Sequence, residues 1–178
     1  YDLGYKNPET ELEGMFAFAI FDNFEKKLIL SRDRIGKKPL FFSETKYGVV
    51  FASEIKSILK SGLLEKKINL SSISNFLSLG YSPSDESNFR NIRQLKPGTR
   101  LEIKNSILEK QWWKLPSYPE SNKLYDLRKS INEVKDIFQK AVKKRLYSDV
   151  PMGIYLSGGI DSSLILSAIA KEGFPENF

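Results

Sequence analysis

The 178-residue chain contains no cysteine and no histidine. The first absence excludes a disulfide framework, and the two together exclude a Cys/His zinc site and a histidine-based catalytic triad within this stretch. Any chemistry here must use other groups. No apolar run approaches the roughly 18 residues that would suggest a membrane-spanning helix. The first residue is Tyr1 rather than Met, no leader pattern follows it, and "EGFPENF" closes the chain just after a predicted helix. An internal piece of a longer cytoplasmic protein, with no membrane contact, is the expectation.

What is present suffices for a core. The hydrophobic content is 40%, and the length suits one ordinary domain or two small ones. Lys+Arg number 28 against 22 Asp+Glu, a net charge of +6. A basic excess can point to nucleic acid or to an anionic substrate. The clusters Lys26-Lys27, Lys37-Lys38 and Lys143-Lys144-Arg145 are scattered among acids, so we read them as solvated faces and expect no nucleic-acid partner.

"GMFAFAIFD" (Gly14 to Asp22) and "KKLILSRD" (Lys26 to Asp33) read as two antiparallel strands with a tight connection, and "KPLFFS" and "GVVFAS" repeat the pattern around "ETKY". The expectation is a four-strand meander. "FAFAI" and "VVFA" are nearly all apolar, so both faces of that sheet should be covered, with Phe16, Phe18, Phe21, Phe41, Phe42 and Phe51 in the core. Two short helices follow, one with Ile55, Ile58 and Leu59, the other with Ile73, Phe76 and Leu77. Glu54 opens the first, and Ser71 or Ser72 caps the second. "LKPGTRLEI" is a turn into a strand, with "SILEKQWWKL" as its partner. "PSYPESNK" (Pro116 to Lys123) reads as a linker between domains at 1–115 and 124–178. Trp112-Trp113 is packing near that junction. Leu127, Ile131, Val134, Phe138, Ala141 and Leu146 lie on one amphipathic helix of about five turns.

The most informative stretch is "PMGIYLSGGIDSSLILSA", Pro151 to Ala168. A short buried strand, Gly153 to Leu156, should feed a glycine turn and then a helix, as at the start of a parallel α/β sheet. Gly158 and Gly159 let a ligand approach the backbone amides. Those N–H groups, with the helix start, make a cationic concavity suited to phosphate. Ser157, Ser162 and Ser163 add hydroxyls, and Asp161 could share a Mg²⁺ with phosphate oxygens. The loop is not a Walker A motif, because no Lys follows the glycines. A plain turn explains one glycine and one serine. It does not explain Ser-Gly-Gly-x-Asp-Ser, whose chance occurrence in such a chain is on the order of one in ten thousand.

"LSGGIDSS" resembles the pyrophosphate-binding loop of the ATP pyrophosphatases, and "SDVPMGIYLSGGIDSS" resembles the opening of the synthetase domain in glutamine-hydrolysing asparagine synthetases. "LEGMFAFAIFD", "LSRDRIGKKPLFF", "FASEIKSIL" and "LKPGTRLEI" are similar, in the same order, to the second half of that family's N-terminal-nucleophile glutaminase domain. The resemblance is weakest at Leu64 to Asn69 and at the linker. Lys37 and Thr99 depart from the family's usual residues.

The resemblance implies a mixed fold. It would begin as a partial αββα sandwich, α+β in the glutaminase part, and continue as the start of a parallel α/β ATP-pyrophosphatase domain. It also implies ATP and Mg²⁺, with glutamine and aspartate as the other small-molecule partners, and admits a homodimer. Leu156 would lie against the nucleotide, while Ser157, Gly158, Gly159, Ser162 and Ser163 would hold the pyrophosphate and Asp161 would serve Mg²⁺. The reaction implied is amidation of aspartate through a β-aspartyl-AMP intermediate. The family's cysteine nucleophile would precede Tyr1, so no catalytic residue is assigned in this chain, and the chain by itself should be inactive. Arg32, Asp33 and Arg34 read as structural ion pairs at a strand end. Three other readings stay open: another carboxylate acceptor, as in surface-polysaccharide or secondary-metabolite synthesis; a non-catalytic relative; and a synthetase fed by free ammonia.

Overall fold

The computed structural model describes residues 4, 7–83, 85–117, 126–176 and 178. The chain divides into two compact units, Tyr1–Ser117 and Tyr118–Phe178. Most of the predicted linker, residues 118–123, lies outside the described residues.

Among its described residues the first unit has a single helical turn, α1 (Pro8–Glu11), seven strands and two further helices. Strands β1 (Ala17–Asp22) and β2 (Lys27–Arg32) form a hairpin, its turn fixed by the Asp22 carboxylate, which accepts the Phe24 and Glu25 N–H groups at 2.9 Å each. Strands β3 (Phe41–Thr45) and β4 (Gly48–Ala52) form a second hairpin. The two hairpins do not join into one meander. β2 continues into β6 (Thr99–Ile103) and β7 (Ile107–Gln111), giving the antiparallel order β1-β2-β6-β7, whereas β3 pairs with β5 (Arg93–Gln94) in a separate sheet ordered β4-β3-β5. The separation arises in the loop between β2 and β3, where Gly36 takes a left-handed conformation at φ +67° and sends the chain to the second sheet.

The core lies between the two sheets. Leu30 and Leu101 come from one sheet, Leu40, Phe42 and Leu95 from the other or its flanks, and all are at least 95% buried. Each such side chain contributes about 1.5–3 kcal/mol. β2 and β6 are buried along most of their length. β1 and β4, whose apolar sequence predicted full cover, are edge strands with one neighbour each. Phe21 and Phe51 are accordingly 56% and 37% exposed, and Phe42 alone of the six predicted phenylalanines is fully buried.

Side chains alternate along a strand, so β6 turns Leu101 inward and Arg100 and Glu102 outward. Arg100 meets the buried Glu9 of α1 at 2.9 Å and Asn7 at 2.8 Å, and also pairs with Glu102, which takes Lys110 of β7 at 3.0 Å. Burial alone would lower the Arg100 pKa, but the two carboxylates raise it above the ordinary value. Glu102, for the converse reason, sits below the ordinary glutamate range.

Helices α2 (Ile55–Lys60) and α3 (Leu70–Leu79) follow β4. Glu54 stands at the N-cap of α2 but makes no capping bond; its carboxylate pairs with Lys56 at 2.6 Å. The cap of α3 is Asn69 rather than a serine. Its side-chain oxygen accepts the Ser72 N–H, and Gly80, left-handed at φ +78°, closes the other end.

In the second unit, α4 (Leu127–Lys143) is capped by Asp126, whose carboxylate accepts the Arg128 and Lys129 N–H groups. α5 (Ile160–Glu172) packs against it through Val142, Ala168 and Ile169. Gln139 donates to the Ala168 carbonyl at 2.8 Å and to Glu172 at 3.0 Å, and Lys143 pairs with Glu172 at 2.8 Å. The predicted strand Gly153 to Leu156 does not form. A strand needs a neighbour for its backbone groups, and among the described residues of this unit there is none; Tyr155 is wholly exposed.

Candidate phosphate-binding loop

Gly158 and Gly159 turn the chain out of this extended segment. Gly158 is left-handed at φ +77°, and a Cβ there would meet nothing within 4 Å, so the space beside it is open. Gly159, with φ −78° and ψ 165°, is the N-cap of α5 and offers no side chain to the first-turn amides. Those N–H groups face outward at the positive end of a helix of 13 residues.

The predicted hydroxyls converge on this turn. Ser157 Oγ accepts a long bond from the Gly159 N–H at 3.4 Å and shares a hydrogen bond with Ser162 Oγ at 3.2 Å. Ser162 and Ser163 both donate to the Gly159 carbonyl, at 3.1 and 2.8 Å. Thus Ser157, Gly158, Gly159, Ser162 and Ser163 form one turn, stapled by hydroxyls that can rotate outward to a ligand oxygen. Asp161 lies exposed in the first helical turn, and Leu156 is 55% exposed just before the loop. Among the described residues no group of three or more carboxylates gathers to hold a metal. A cation here would be shared between Asp161 and ligand oxygens. An uncapped helix start, two glycines with space beside them, three hydroxyls and one carboxylate fit a magnesium polyphosphate.

The first unit carries a second organised locus, and there the expectation of ion pairs is corrected. Arg32 and Asp33 are buried, yet their side chains bond to backbone. Arg32 donates to the carbonyls of Lys38 at 2.7 Å, Leu95 at 2.6 Å and Gly36 at 2.6 Å. Asp33 accepts the N–H groups of Phe16, Ile35, Lys37 and Lys38 at 2.9–3.3 Å. Its carbonyl takes two more, from Gly36 and Gly98. Burial would raise the Asp33 pKa, but the four donors outweigh it and hold the carboxylate below its ordinary range. Burial lowers the Arg32 pKa, with Asp33 opposing. A loop that must fold back between two sheets has several inward-pointing amides and carbonyls, and one carboxylate and one guanidinium satisfy most of them.

Arg34 completes the locus. It donates to the carbonyls of Leu12 at 2.7 Å and Thr10 at 3.3 Å, and its guanidinium lies 5.3 Å from the centroid of the Trp112 ring system. Trp112 stacks on Phe16 at 6.0 Å, and its buried indole N–H has no hydrogen-bond partner among the described residues. The sequence signal for this arrangement was present in the unbroken triplet Arg32-Asp33-Arg34 ahead of Gly36, but the partners are backbone atoms spread from Thr10 to Gly98, which no spacing reveals.

Two family models match the chain. Residues 2–114 match the model of the glutamine amidotransferase domain, and residues 133–175 match that of asparagine synthase. The chain is 37% identical to a putative glutamine-hydrolysing asparagine synthetase of Methanocaldococcus jannaschii, over 90% of this chain and 32% of that protein. It is 33% identical to glutamine-hydrolysing asparagine synthetase 3 of Bacillus subtilis, over 91% of this chain and 27% of that protein. A third relative, amidase chry2 of Gibberella zeae, is 34% identical over 92% of this chain and 25% of its own length. The chain thus spans about a quarter to a third of the length of these curated relatives.

Proposed function

Because the chain belongs to the glutamine amidotransferase family, in the glutamine-hydrolysing asparagine synthetase group, we propose that the full-length protein is an ATP-dependent ligase that takes nitrogen from glutamine and amidates aspartate. The observation that carries this reading is the turn from Ser157 to Ser163, with its uncapped amides, its hydroxyls and Asp161.

ATP, bound with Mg²⁺, would activate the acceptor carboxylate by adenylation, the adenylated aspartate then being open to attack by ammonia. The chain's own part is positioning and charge. The amides opening α5 and the hydroxyls of Ser157, Ser162 and Ser163 would hold pyrophosphate oxygens, Asp161 would hold the cation that neutralises them, and Leu156 would offer an apolar surface to the nucleotide. The first unit supplies the later strands of the glutaminase domain. The chain has no cysteine, so none of its residues is given the role of the glutaminase nucleophile.

The test is pyrophosphate exchange into ATP by the full-length protein, in the presence of aspartate. Asp161→Asn should lower exchange on the order of 10²-fold and leave glutamine hydrolysis measurable. Equal loss of both activities in a folded variant contradicts the assignment. A second reading is favoured by the similarity to relatives named amidases, at 34% and 32% identity: the same chemistry on a carboxylate other than aspartate. Exchange that depends on another carboxylate and ignores aspartate would select it.

A further inference from the structure

α4 and α5 meet through a small apolar contact, Val142 against Ala168 and Ile169, with Leu146 and Ile154 packed beside it. Apolar contact is non-directional, so it holds the two helices together without selecting their register. Polar groups make that selection. The Gln139 amide donates twice to α5, to the Ala168 main-chain carbonyl at 2.8 Å and to Glu172 Oε1 at 3.0 Å. The other Glu172 oxygen takes Lys143, one turn further along α4, at 2.8 Å. Lys143 first and Gln139 next hold the Glu172 carboxyl below the ordinary glutamate range, and Glu172 in turn raises Lys143. The Lys143 side chain is exposed, where an ion pair contributes little. Gln139 is half-buried and bonds to backbone, so its grip fixes the helix itself and not only a side chain.

The same helix carries the phosphate loop. Ala168 follows Ser163 by five positions, and the Ser162 and Ser163 hydroxyls tie the first turn of α5 to the Gly159 carbonyl. The segment ahead of the loop pairs with no strand among the described residues, and its Tyr155 is wholly exposed, while Ile154 packs on the contact between the helices. The turn from Leu156 to Gly159 therefore spans two supports, Ile154 on one side and α5 on the other, and a shift of α5 along α4 changes its shape.

We propose that Gln139 is a positioning residue for the loop from Ser157 to Ser163: by bonding the backbone and a side chain of α5 at once, it sets the register of that helix on α4 and so the shape in which the loop meets a magnesium polyphosphate. The register depends on the contacts between α4 and α5 alone; its consequence for the ligand rests on the function proposed above. Gln139 touches no reacting group. Hydrogen bonds are directional where apolar packing is not, which is why one half-buried amide can select a register that Val142, Ala168 and Ile169 leave open.

Two measurements on the full-length protein test it. In Gln139→Leu, which keeps the bulk and removes both donors, hydrogen exchange followed by mass spectrometry should show peptides covering Ser163 to Leu166 exchanging about tenfold faster, with β2 and β6 of the first unit unchanged. Acceleration confined to residues 168–172, or none, overturns the register role. The second measurement is pyrophosphate exchange as a function of the concentration of ATP with Mg²⁺. A displaced loop raises KM for ATP, whereas a variant that is merely less folded loses kcat at constant KM. Gln139→Leu should raise KM at least about fivefold with kcat within about twofold of the parent; an unchanged KM overturns the consequence for the ligand. Gln139→Lys, whose ammonium can still donate to the Ala168 carbonyl and to Glu172, should recover most of the affinity, and a KM as high as that of Gln139→Leu counts against the donors. Lys143→Gln, which removes the ion pair and leaves Gln139 in place, should stay within about twofold of the parent; a rise equal to that of Gln139→Leu would move the role to the ion pair and overturn the assignment. A parent protein without pyrophosphate exchange on any carboxylate would refute the proposed function, and the hydrogen-exchange data would still decide the register role.

Discussion

At the scale of single residues, charge is used in two ways. Asp33 spends its charge on backbone, and Asp161 leaves its charge facing solvent. The Asp33 carboxyl is held below the ordinary range, so its contribution to stability is present above the unfolded-state pKa of about 3.9 and is lost as pH falls through the lower folded value. Acid unfolding of the parent should therefore steepen below about pH 4. Asp33→Asn, which removes the charge and sets amide N–H groups against backbone donors, should cost about 2–4 kcal/mol at neutral pH. Its denaturation midpoint should vary less between pH 5 and pH 3 than the parent's; an undiminished dependence would show that other carboxylates carry the acid limb.

At the scale of elements, turns decide the fold. Gly98→Ala puts a Cβ 2.8 Å from the Trp113 carbonyl at a positive φ, so it should lower stability by at least about 2 kcal/mol in thermal denaturation. Gly158→Ala has the same backbone strain with open space beside it, so the expected cost is only about 1 kcal/mol. These turns also mark how far the sequence could be read. The segments of β1–β4, β6 and β7 and the helices α3 and α4 were legible, because apolar spacing and flanking turns are local signals, whereas β5 was not foreseen and the strand expected over Gly153 to Leu156 does not form. Strand partners were not: β2 pairs with β6 some seventy positions on, and the pattern of "LILSR" says nothing of that neighbour. The cap of α3 was misread because Asn69 stands just ahead of two serines, and only the backbone angles select among them. The loop from Ser157 to Ser163 was legible because its glycines, hydroxyls and carboxylate are contiguous, whereas Arg32, Asp33 and Arg34 bond to atoms that every residue possesses.

At the scale of the whole molecule, the two units differ in how much core they own. The first buries a cluster between two sheets. The second buries Val142, Ala168 and Ile169 while Leu127, Ile131, Val134 and Ile137 of α4 stay 55–72% exposed. Expressed separately, residues 1–117 should unfold in one cooperative transition, and residues 118–178 should bind a hydrophobic dye and melt without a sharp midpoint. A sharp transition in the second segment would mean that its small core suffices. Among the described residues no helix is long and apolar enough to cross a membrane. Ligase activity is measured by supplying the full-length protein with glutamine, aspartate, ATP and Mg²⁺ and quantifying glutamate, asparagine and AMP together by mass spectrometry. Asparagine and AMP should rise in equal amounts, both should require ATP, and both should fall with Asp161→Asn; glutamate accumulating with neither asparagine nor AMP would contradict the proposed ligase activity.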